Sequence, residues 1–358
     1  MSSLAGEISA TIMKLFASIP ALAFFATNVL SFQLFDTRST PEPFSFFTNV
    51  TVYQPTGNES VIYPRYTELR DGTILATISL AGHSPAYFPI MESKDGGASW
   101  KRISDVHDTA NGWGMTYQPA LLEMTEPMAG YDVGTILACG LSANLTIGLK
   151  KIDLYASKDG ARTWEFKLAH QTTKDLKTWG PVVNDVAYDD ETWRPGMTVI
   201  TYLPPVKKWI LVHELGMGNK TFYGQKWAVH YVLADSPLEF GKEKDLPLIV
   251  DGNFAPTSSP YVVWSPFGGS NGTIVLADAG SRQLYTNSYG AALDKWEKHI
   301  VPSGSGYARA LQVLKDRPDH VAIHVAETFN GFHTGRLVPW LVTVVDLKEV
   351  LQAPAEYT

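Results

Sequence analysis

SKDGGASW, residues Ser93–Trp100, is a turn motif of the form Ser-x-Asp-x-Gly-x-Ser-Trp. The Asp95 carboxylate is placed to accept hydrogen bonds from backbone N–H groups of its own turn. Gly97 supplies a backbone conformation with positive φ at little cost. Trp100 is expected to pack under the following strand. The motif therefore predicts the outer hairpin of a β-sheet blade.

The motif recurs farther along the chain. A second copy, SKDGARTW, spans Ser157–Trp164 with its glycine displaced to Gly160, and a shortened copy, TKDLKTW, spans Thr173–Trp179. Near-copies of one supersecondary unit at a blade-sized interval are typical of a β-propeller. The residues assigned a structural role in these turns are Asp95, Trp100, Asp159 and Trp164.

A second repeat predicts inner hairpins. Turn residues flanked by apolar or β-branched runs favour two paired strands, and only residues 346–351 suggest a turn of helix. The pattern occurs in LRDGTILAT (Leu69–Thr77), YDVGTILAC (Tyr131–Cys139), LPPVKKWILVHE (Leu203–Glu214), GSNGTIVLAD (Gly269–Asp278) and LKDRPDHVAIHV (Leu314–Val325). Each hairpin is expected to belong to a separate blade.

Composition bounds the class of protein. The 358 residues are 45% hydrophobic, enough for a sizeable core, and a net charge of −7 argues against binding to nucleic acid or to an anionic membrane. The single cysteine, Cys139, excludes an intrachain disulfide. We expect one β-propeller domain over residues 32–358.

The N-terminal residues 1–31 read as an extension and a signal peptide. Lys14 precedes an apolar run, Leu15–Ala26, that is too short to span a bilayer as a helix, and Met13 makes an ordinary signal-peptide start. The alternative is a hydrophobic helix of the mature fold. Secretion to the extracellular space also fits the Asn-x-Ser/Thr glycosylation sequons, which lie at Asn49, Asn58, Asn144, Asn219 and Asn271.

Several charged residues are expected at the central channel. Arg65, Arg194 and Arg309 each lie near the start of an inner strand, where they bind a carboxylate or sugar hydroxyls, or else form salt bridges between blades. Glu214 ends the apolar run WILVHE, where a carboxylate is costly unless it is functional or paired with an arginine. The histidines show no metal-ligand spacing, so neither a metal nor a cofactor is predicted.

From Ser60 onward the sequence resembles the Asp-box (BNR repeat) proteins of the sialidase superfamily, and specifically the exo-α-1,5-L-arabinanases of glycoside hydrolase family 93. The stretches that carry the resemblance include IYPRYTELRDGTILAT, HQTTKDLKTWGPVVNDVAY, RPGMTVITYLP, SSPYVVWSPFGGSNGTIVLAD and GYARALQVL. The resemblance implies a six-bladed propeller and a retaining mechanism with two carboxylates. It also implies that Glu214 is the nucleophile.

The same resemblance exposes a gap, which the repeats indicate independently: Trp164 and Trp179 each end an outer motif but enclose no inner hairpin, unlike every other adjacent pair. The acid/base glutamate of the family lies in a stretch like V-W-E-P-F, but here Phe166 runs directly into Lys167 without such a stretch. We therefore expect a six-bladed propeller of the sialidase type whose third blade is truncated, giving five complete blades and a stump. Such a hydrolase would be impaired.

Three functions stay open at this point. The first is a monomeric exo-arabinanase acting on an oligo- or polysaccharide, with Glu214 and Tyr307 as catalytic residues and Arg65, Arg194 and Arg309 around the sugar. The second is a sialidase, in which the three arginines bind a carboxylate and Tyr307 forms the nucleophile pair with Glu214. The third is a carbohydrate-binding propeller without catalysis.

Overall fold

The computed structural model describes residues 47–127, 131–146, 148–168, 185–186, 188–190, 192–332, 334 and 336–352. In these ranges the chain forms five four-stranded antiparallel sheets arranged as a five-bladed β-propeller. Three predictions lie outside the described residues: the signal peptide, its start at Met13, and the shortened motif Thr173–Trp179.

Four of the sheets are built from consecutive strands. The first contains β2 (Ser60–Glu68), β3 (Ile74–Ala81), β4 (Tyr87–Ser93) and β5 (Lys101–His107). The second contains β6 (Met115–Glu123), β7 (Ile136–Asn144), β8 (Leu149–Ser157) and β9 (Glu165–Leu168). The third contains β10 (Trp193–Leu203), β11 (Lys208–Met217), β12 (Trp227–Ala234) and β13 (Leu246–Pro247). The fourth contains β14 (Tyr261–Ser265), β15 (Thr273–Ala277), β16 (Gln283–Asn287) and β17 (Glu297–Ile300).

The fifth sheet joins the two ends of the described chain. It contains β18 (Ala310–Leu314), β19 (Arg317–Val325) and β20 (Trp340–Asp346), and its outer strand is β1 (Val50–Tyr53). Val50 pairs with Val342 across this closure. A short helix, α1 (Leu347–Gln352), follows β20, where the sequence predicts a helical turn.

Packing between neighbouring sheets explains the long apolar runs. All eight residues of β3 are buried, because the first sheet packs between the second and the fifth. Tyr231 of the third sheet and Trp296 of the fourth share one cluster, for example. Strand β10 packs against β14, and β18 packs against β14 and β2. The Gln118 amide lies 3.8 Å from Met197 Sδ, between the second and third sheets.

The expectation of six blades is wrong. Each of the five predicted inner hairpins lies at the first two strands of a separate sheet, and the described residues contain no sixth four-stranded sheet. Most residues between the end of β9 at Leu168 and the start of β10 at Trp193 lie outside the described ranges. The truncated blade was expected from the resemblance and from the close spacing of Trp164 and Trp179, and Trp179 lies outside the described residues.

The two turn motifs connect the outer strands of the first and second sheets. Asp95 Oδ1 accepts hydrogen bonds from the Ser99 backbone N–H (2.9 Å) and the Ser93 hydroxyl (2.8 Å), and Trp100 Nε1 donates to the Gly97 carbonyl (2.8 Å). In the second copy, Asp159 accepts from the backbone and hydroxyl of Thr163. Ala161 takes the place of Gly97 there and adopts a φ of 68°.

The predicted sequons lie on loops and strand ends. Asn49, Asn58 and Asn219 are exposed, while Asn144 and Asn271 are half-buried. Among the described residues, helices that are long and apolar enough to cross a membrane are not found.

Candidate active site

A repeated backbone distortion marks one end of the innermost strands. At least one non-glycine residue adopts a left-handed conformation at or just before each of them: Tyr63 (φ 57°), Gln118 (54°), Met197 (53°), Ser258 (62°) with Ser259 (41°), and Ala308 (56°). The pairing register of β2, β6 and β10 with their neighbours shifts at these positions. Such bulges re-aim side chains, and strained residues of this kind concentrate at functional sites. The candidate site is assembled around them.

Glu214 lies near the end of β11, the second strand of the third sheet, and is only 3% exposed. Its Oε2 atom accepts two hydrogen bonds of 2.8 Å, from the Ser258 hydroxyl and the Ser259 backbone N–H. Opposite it on β10 stands Gly196, where a Cβ atom would lie 3.5 Å from Oε1. Two donors therefore fix one oxygen, and the absence of a side chain at Gly196 leaves room beside the other.

Two tyrosines lie next to Glu214. The rings of Tyr63 and Tyr307 are 5.5 Å apart in an edge-on arrangement, and the Tyr307 hydroxyl donates to that of Tyr63. Burial raises the pKa of both phenols, and the negative charge of Glu214 raises the pKa of each further. Both tyrosines are therefore neutral hydrogen-bond donors over the whole physiological range of pH.

Two of the three predicted arginines approach this cluster. The Arg194 guanidinium stacks on the ring of Trp227 at 5.2 Å, and its positive charge opposes the rise in the pKa of Tyr307. Arg65 stacks over Tyr261 at 5.3 Å and donates to the Ala308 carbonyl at 3.2 Å, beside Tyr307. The structure therefore brings Glu214, Tyr307, Arg65 and Arg194 to one end of the inner strands.

Arg309 has different surroundings. Its side chain is fully buried, with Nε donating to the Asp278 carbonyl at 2.9 Å and Nη2 donating to the Gln283 carbonyl at 2.7 Å. The Asp278 carboxylate lies 3.6 Å from Nη2. These contacts join the fourth and fifth sheets, as in the salt bridge between blades that the sequence leaves open. They do not place Arg309 against Glu214.

Two groups of side chains are of the types that hold a metal ion. One is formed by His213, His230 and Asp245, and the other by Asp319, His320 and Asp346. In the first group Asp245 accepts hydrogen bonds from both histidines, at 2.9 and 2.7 Å. The sequence predicts neither a metal nor a cofactor, and this stays a prediction.

Sequence reasoning misses part of the site. Tyr63, Ser258 and Ser259 contact or neighbour Glu214 but carry no recognisable motif alone. A signal is nevertheless present, because Tyr63, Gln118 and Ser259 each precede a proline at the start of an inner strand. A residue before proline favours extended backbone. These X-Pro pairs therefore mark the starts of inner strands but do not predict the left-handed conformation.

Comparison with solved structures identifies close relatives. The chain superposes on the GH93 α-L-arabinofuranosidase of Fusarium graminearum, solved with arabinobiose, with a TM-score of 0.80, 33% sequence identity, and coverage of 86% of this chain and 99% of that one. The same enzyme has been solved as a glutamate-to-alanine mutant with an iminosugar inhibitor.

A second relative gives the same result. The Penicillium chrysogenum α-L-arabinanase, solved with arabinobiose, gives a TM-score of 0.77 at 33% identity, with 86% of this chain and 99% of that one covered. No protein-family model and no curated protein sequence matches the chain. Identity of one third over nearly the whole length of both enzymes shows common descent. The chain belongs to glycoside hydrolase family 93.

Proposed function

We propose that the protein is a retaining, exo-acting arabinanase-type hydrolase in which Glu214 is the nucleophile. The observation that carries the proposal is the buried Glu214 carboxylate, held at Oε2 by two donors and beside Gly196 at Oε1. The relatives at 33% identity are named for α-L-arabinofuranosidase and α-L-arabinanase activity and hold arabinobiose. The substrate class is therefore an arabinan or a related plant glycan.

The chemistry assigned to Glu214 is a direct displacement. A carboxylate oxygen attacks the anomeric carbon, the glycosidic C–O bond breaks, and its electron pair passes to the leaving oxygen. Water then hydrolyses the glycosyl-enzyme ester. The neutral hydroxyls of Tyr63 and Tyr307 and the guanidinium groups of Arg65 and Arg194 are suited to hydrogen bonding with sugar hydroxyls.

The leaving oxygen also needs a proton, and here the chain differs from the family that it resembles. Among the described residues, the hydrogen-bond partners of the Glu214 carboxylate are serines, and the stretch that should carry the acid is missing after Phe166. Loss of a positioned general acid typically costs ~10²–10⁴-fold in rate. We therefore expect slow turnover of arabinan.

The kinetic test uses a leaving group that needs no proton. With 2,4-dinitrophenyl α-L-arabinobioside, we expect a burst of one equivalent of dinitrophenolate followed by slow turnover, because the ester forms readily but lacks a base to activate water. Added azide should accelerate turnover and yield the α-azide, with retained configuration. Linear arabinan should be cleaved much more slowly than the aryl substrate.

Variants and alternative substrates make this test decisive. Glu214→Gln should abolish the burst, while the exposed Glu126→Gln should retain it. Full activity in Glu214→Gln would remove Glu214 from the mechanism. Release of sialic acid from a sialyl reporter would support the sialidase reading instead. Binding of arabinobiose without any burst would indicate a carbohydrate-binding propeller.

Secretion is part of the same proposal, in which the protein is a monomer. The support for secretion is the apolar run Leu15–Ala26 and the sequons on exposed Asn49, Asn58 and Asn219. N-terminal sequencing of protein recovered from culture medium should find cleavage after Ser31. Retention of the uncleaved chain in the cells would contradict it.

A further inference from the structure

A buried polar network lies directly behind Glu214. His213, the preceding residue on β11, is fully buried, with Nε2 2.9 Å from Asp245 Oδ1 and Nδ1 3.1 Å from the Glu214 carbonyl oxygen. His230 Nδ1 lies 2.7 Å from Asp245 Oδ2, and the Tyr188 hydroxyl donates to the same oxygen. Asp245 thus gathers side chains from β11, β12 and the loop before β10.

The hydrogen bonds to Asp245 determine the charge of its carboxylate. Burial opposes ionisation of Asp245, but hydrogen bonds from His213 and His230 outweigh it and lower its pKa, so the carboxylate is charged. Both ring nitrogens of His213 face oxygens, those of the Asp245 carboxylate and of the Glu214 carbonyl. The ring is therefore held at both ends, between Asp245 at Nε2 and the Glu214 backbone at Nδ1.

The distances favour hydrogen bonding over a metal ion in this cluster. Ligand atoms about 2.1 Å from a tetrahedral ion are about 3.4 Å apart. The separations of 2.9 Å from His213 to Asp245 and 2.7 Å from His230 to Asp245 are shorter and match ordinary hydrogen bonds.

His213 contacts the backbone of Glu214 where β11 lacks regular pairing with β10. The pairing of β10 with β11 shifts between Gly196 and Val199, and Met197 adopts a left-handed φ of 53° at this bulge. Neighbouring side chains on a strand point to opposite faces. His213 is therefore directed away from the Glu214 carboxylate, and its contact is with the Glu214 carbonyl.

We infer that His213 is a positioning residue for Glu214, anchored in turn by Asp245. Ser258 and Ser259 hold the carboxylate from one side, and the His213 ring holds the carbonyl from the other. This inference rests on the proposed function of Glu214. Loss of the anchor lets the nucleophile drift, and small misplacements of a reacting group cost rate steeply.

The test replaces the anchor without changing its size. His213 and His230 bond different oxygens of Asp245, and Asp245→Asn turns one of these oxygens into an NH2 donor, so one of the two contacts is lost. We expect the burst rate constant with 2,4-dinitrophenyl α-L-arabinobioside to fall roughly 10–100-fold, and the arabinobiose Kd from calorimetry to change less than about twofold. Asp319→Asn is the matched control, because Asp319 bonds His320 at 2.8 Å in the fifth sheet.

Each outcome decides the matter. A burst rate constant of Asp245→Asn within about twofold of wild type overturns the inference, as does an equal loss in Asp319→Asn. Parallel weakening of arabinobiose binding indicates a merely structural role and also overturns it. One equivalent of tightly bound divalent metal in the purified protein would show that His213, His230 and Asp245 bind a metal ion, and it would overturn the inference.

A second variant tests the inference if Asp245→Asn does not fold. If Asp245→Asn fails to fold, Tyr188→Phe, which removes only one donor to Asp245, should still lower the burst rate constant about threefold; an unchanged rate overturns the inference. If the wild-type protein itself shows no burst, the proposed function fails, and the inference fails with it. Failure of the inference alone leaves the wild-type burst intact.

Discussion

Glu214 is held by two donors that differ in how replaceable they are. The backbone N–H of Ser259 survives any substitution except proline, whereas the Ser258 hydroxyl, 2.8 Å from Oε2, is lost on truncation. A hydrogen bond to a charged group contributes about 1.5–3 kcal/mol. The hydroxyl of Ser258 is therefore expected to matter more for catalysis than its small size suggests.

Ser258→Ala should accordingly lower the burst rate constant about tenfold without unfolding the protein. Stopped-flow measurement of dinitrophenolate release checks this. The adjacent Thr257→Ala is the control, because its hydroxyl donates to the Trp227 carbonyl at 3.4 Å and leaves Glu214 untouched. Equal rates for Ser258→Ala and wild type would show that Ser258 does not hold the reacting carboxylate.

Arg309 should matter for stability. Its partner Asp278 is 1% exposed, so removal of the guanidinium leaves a buried carboxylate with neutral donors only, from Thr257, Ser281 and Tyr285. Arg309→Met should lower the free energy of unfolding by about 3–5 kcal/mol, and Asp278→Asn in the same chain should restore part of the loss. Urea denaturation measures both. If Arg309→Met kept the stability of the wild-type protein but bound substrate more weakly, Arg309 would instead be assigned to sugar binding.

The turns and strands were accessible from sequence to different degrees. The inner hairpins and the two aspartate turns were predictable, because turn residues between apolar runs impose a local conformation. The bulges at Tyr63, Met197 and Ser259 were not predicted, because a left-handed residue inside a strand follows from packing around the channel. The carboxylate Glu214 could be identified from the sequence. Its serine partners could not, because they lie on the connection between the third and fourth sheets, far from Glu214 along the chain.

The second aspartate turn gives a prediction with a defined pH dependence. Desolvation opposes ionisation of Asp159, but hydrogen bonds from Thr163, Ser157 and the Arg162 backbone outweigh it and lower its pKa. A lowered pKa stabilises the fold above the carboxyl's ordinary pKa, and this stabilisation is lost as the pH falls through the folded-state value.

Asp159→Ala should therefore cost about 1 kcal/mol at pH 7, as loss of a capping carboxylate does. The difference from wild type should shrink as the pH falls below about 4. Denaturant titrations at pH 7, 4 and 3 measure it. Asp294→Ala, on an exposed side chain, serves as the control. A difference that grows on acidification would contradict the assigned role of the ionised turn.

The ring as a whole depends on its closing strand. β1 completes the fifth sheet, where Val52 is 3% exposed against Trp340 and Val342, while the neighbouring Thr51 is exposed. Val52→Asp should destabilise the protein by several kcal/mol by burying an unpaired charge, and Thr51→Asp should cost less than about 0.5 kcal/mol. Thermal unfolding compares the two; equal melting temperatures would show that β1 does not close the ring.

The number of blades shows where a resemblance misleads. Five hairpin repeats were present in the residues, and the ring contains five sheets closed through β1 and β20. A sixth, truncated blade was added to that count, from the resemblance and from the closely spaced motifs that end at Trp164 and Trp179, and it proved wrong. Family membership itself is secure, since 33% identity extends over 99% of the Fusarium graminearum enzyme.

The most direct test of the central claim is to identify the residue that becomes glycosylated. The protein is quenched in acid during the burst with 2,4-dinitrophenyl α-L-arabinobioside, digested with pepsin, and analysed by mass spectrometry. The account predicts one arabinobiosyl ester per chain, on the peptide containing Glu214, and none in Glu214→Gln. An ester on another carboxylate, or dinitrophenolate release without any ester, would contradict it.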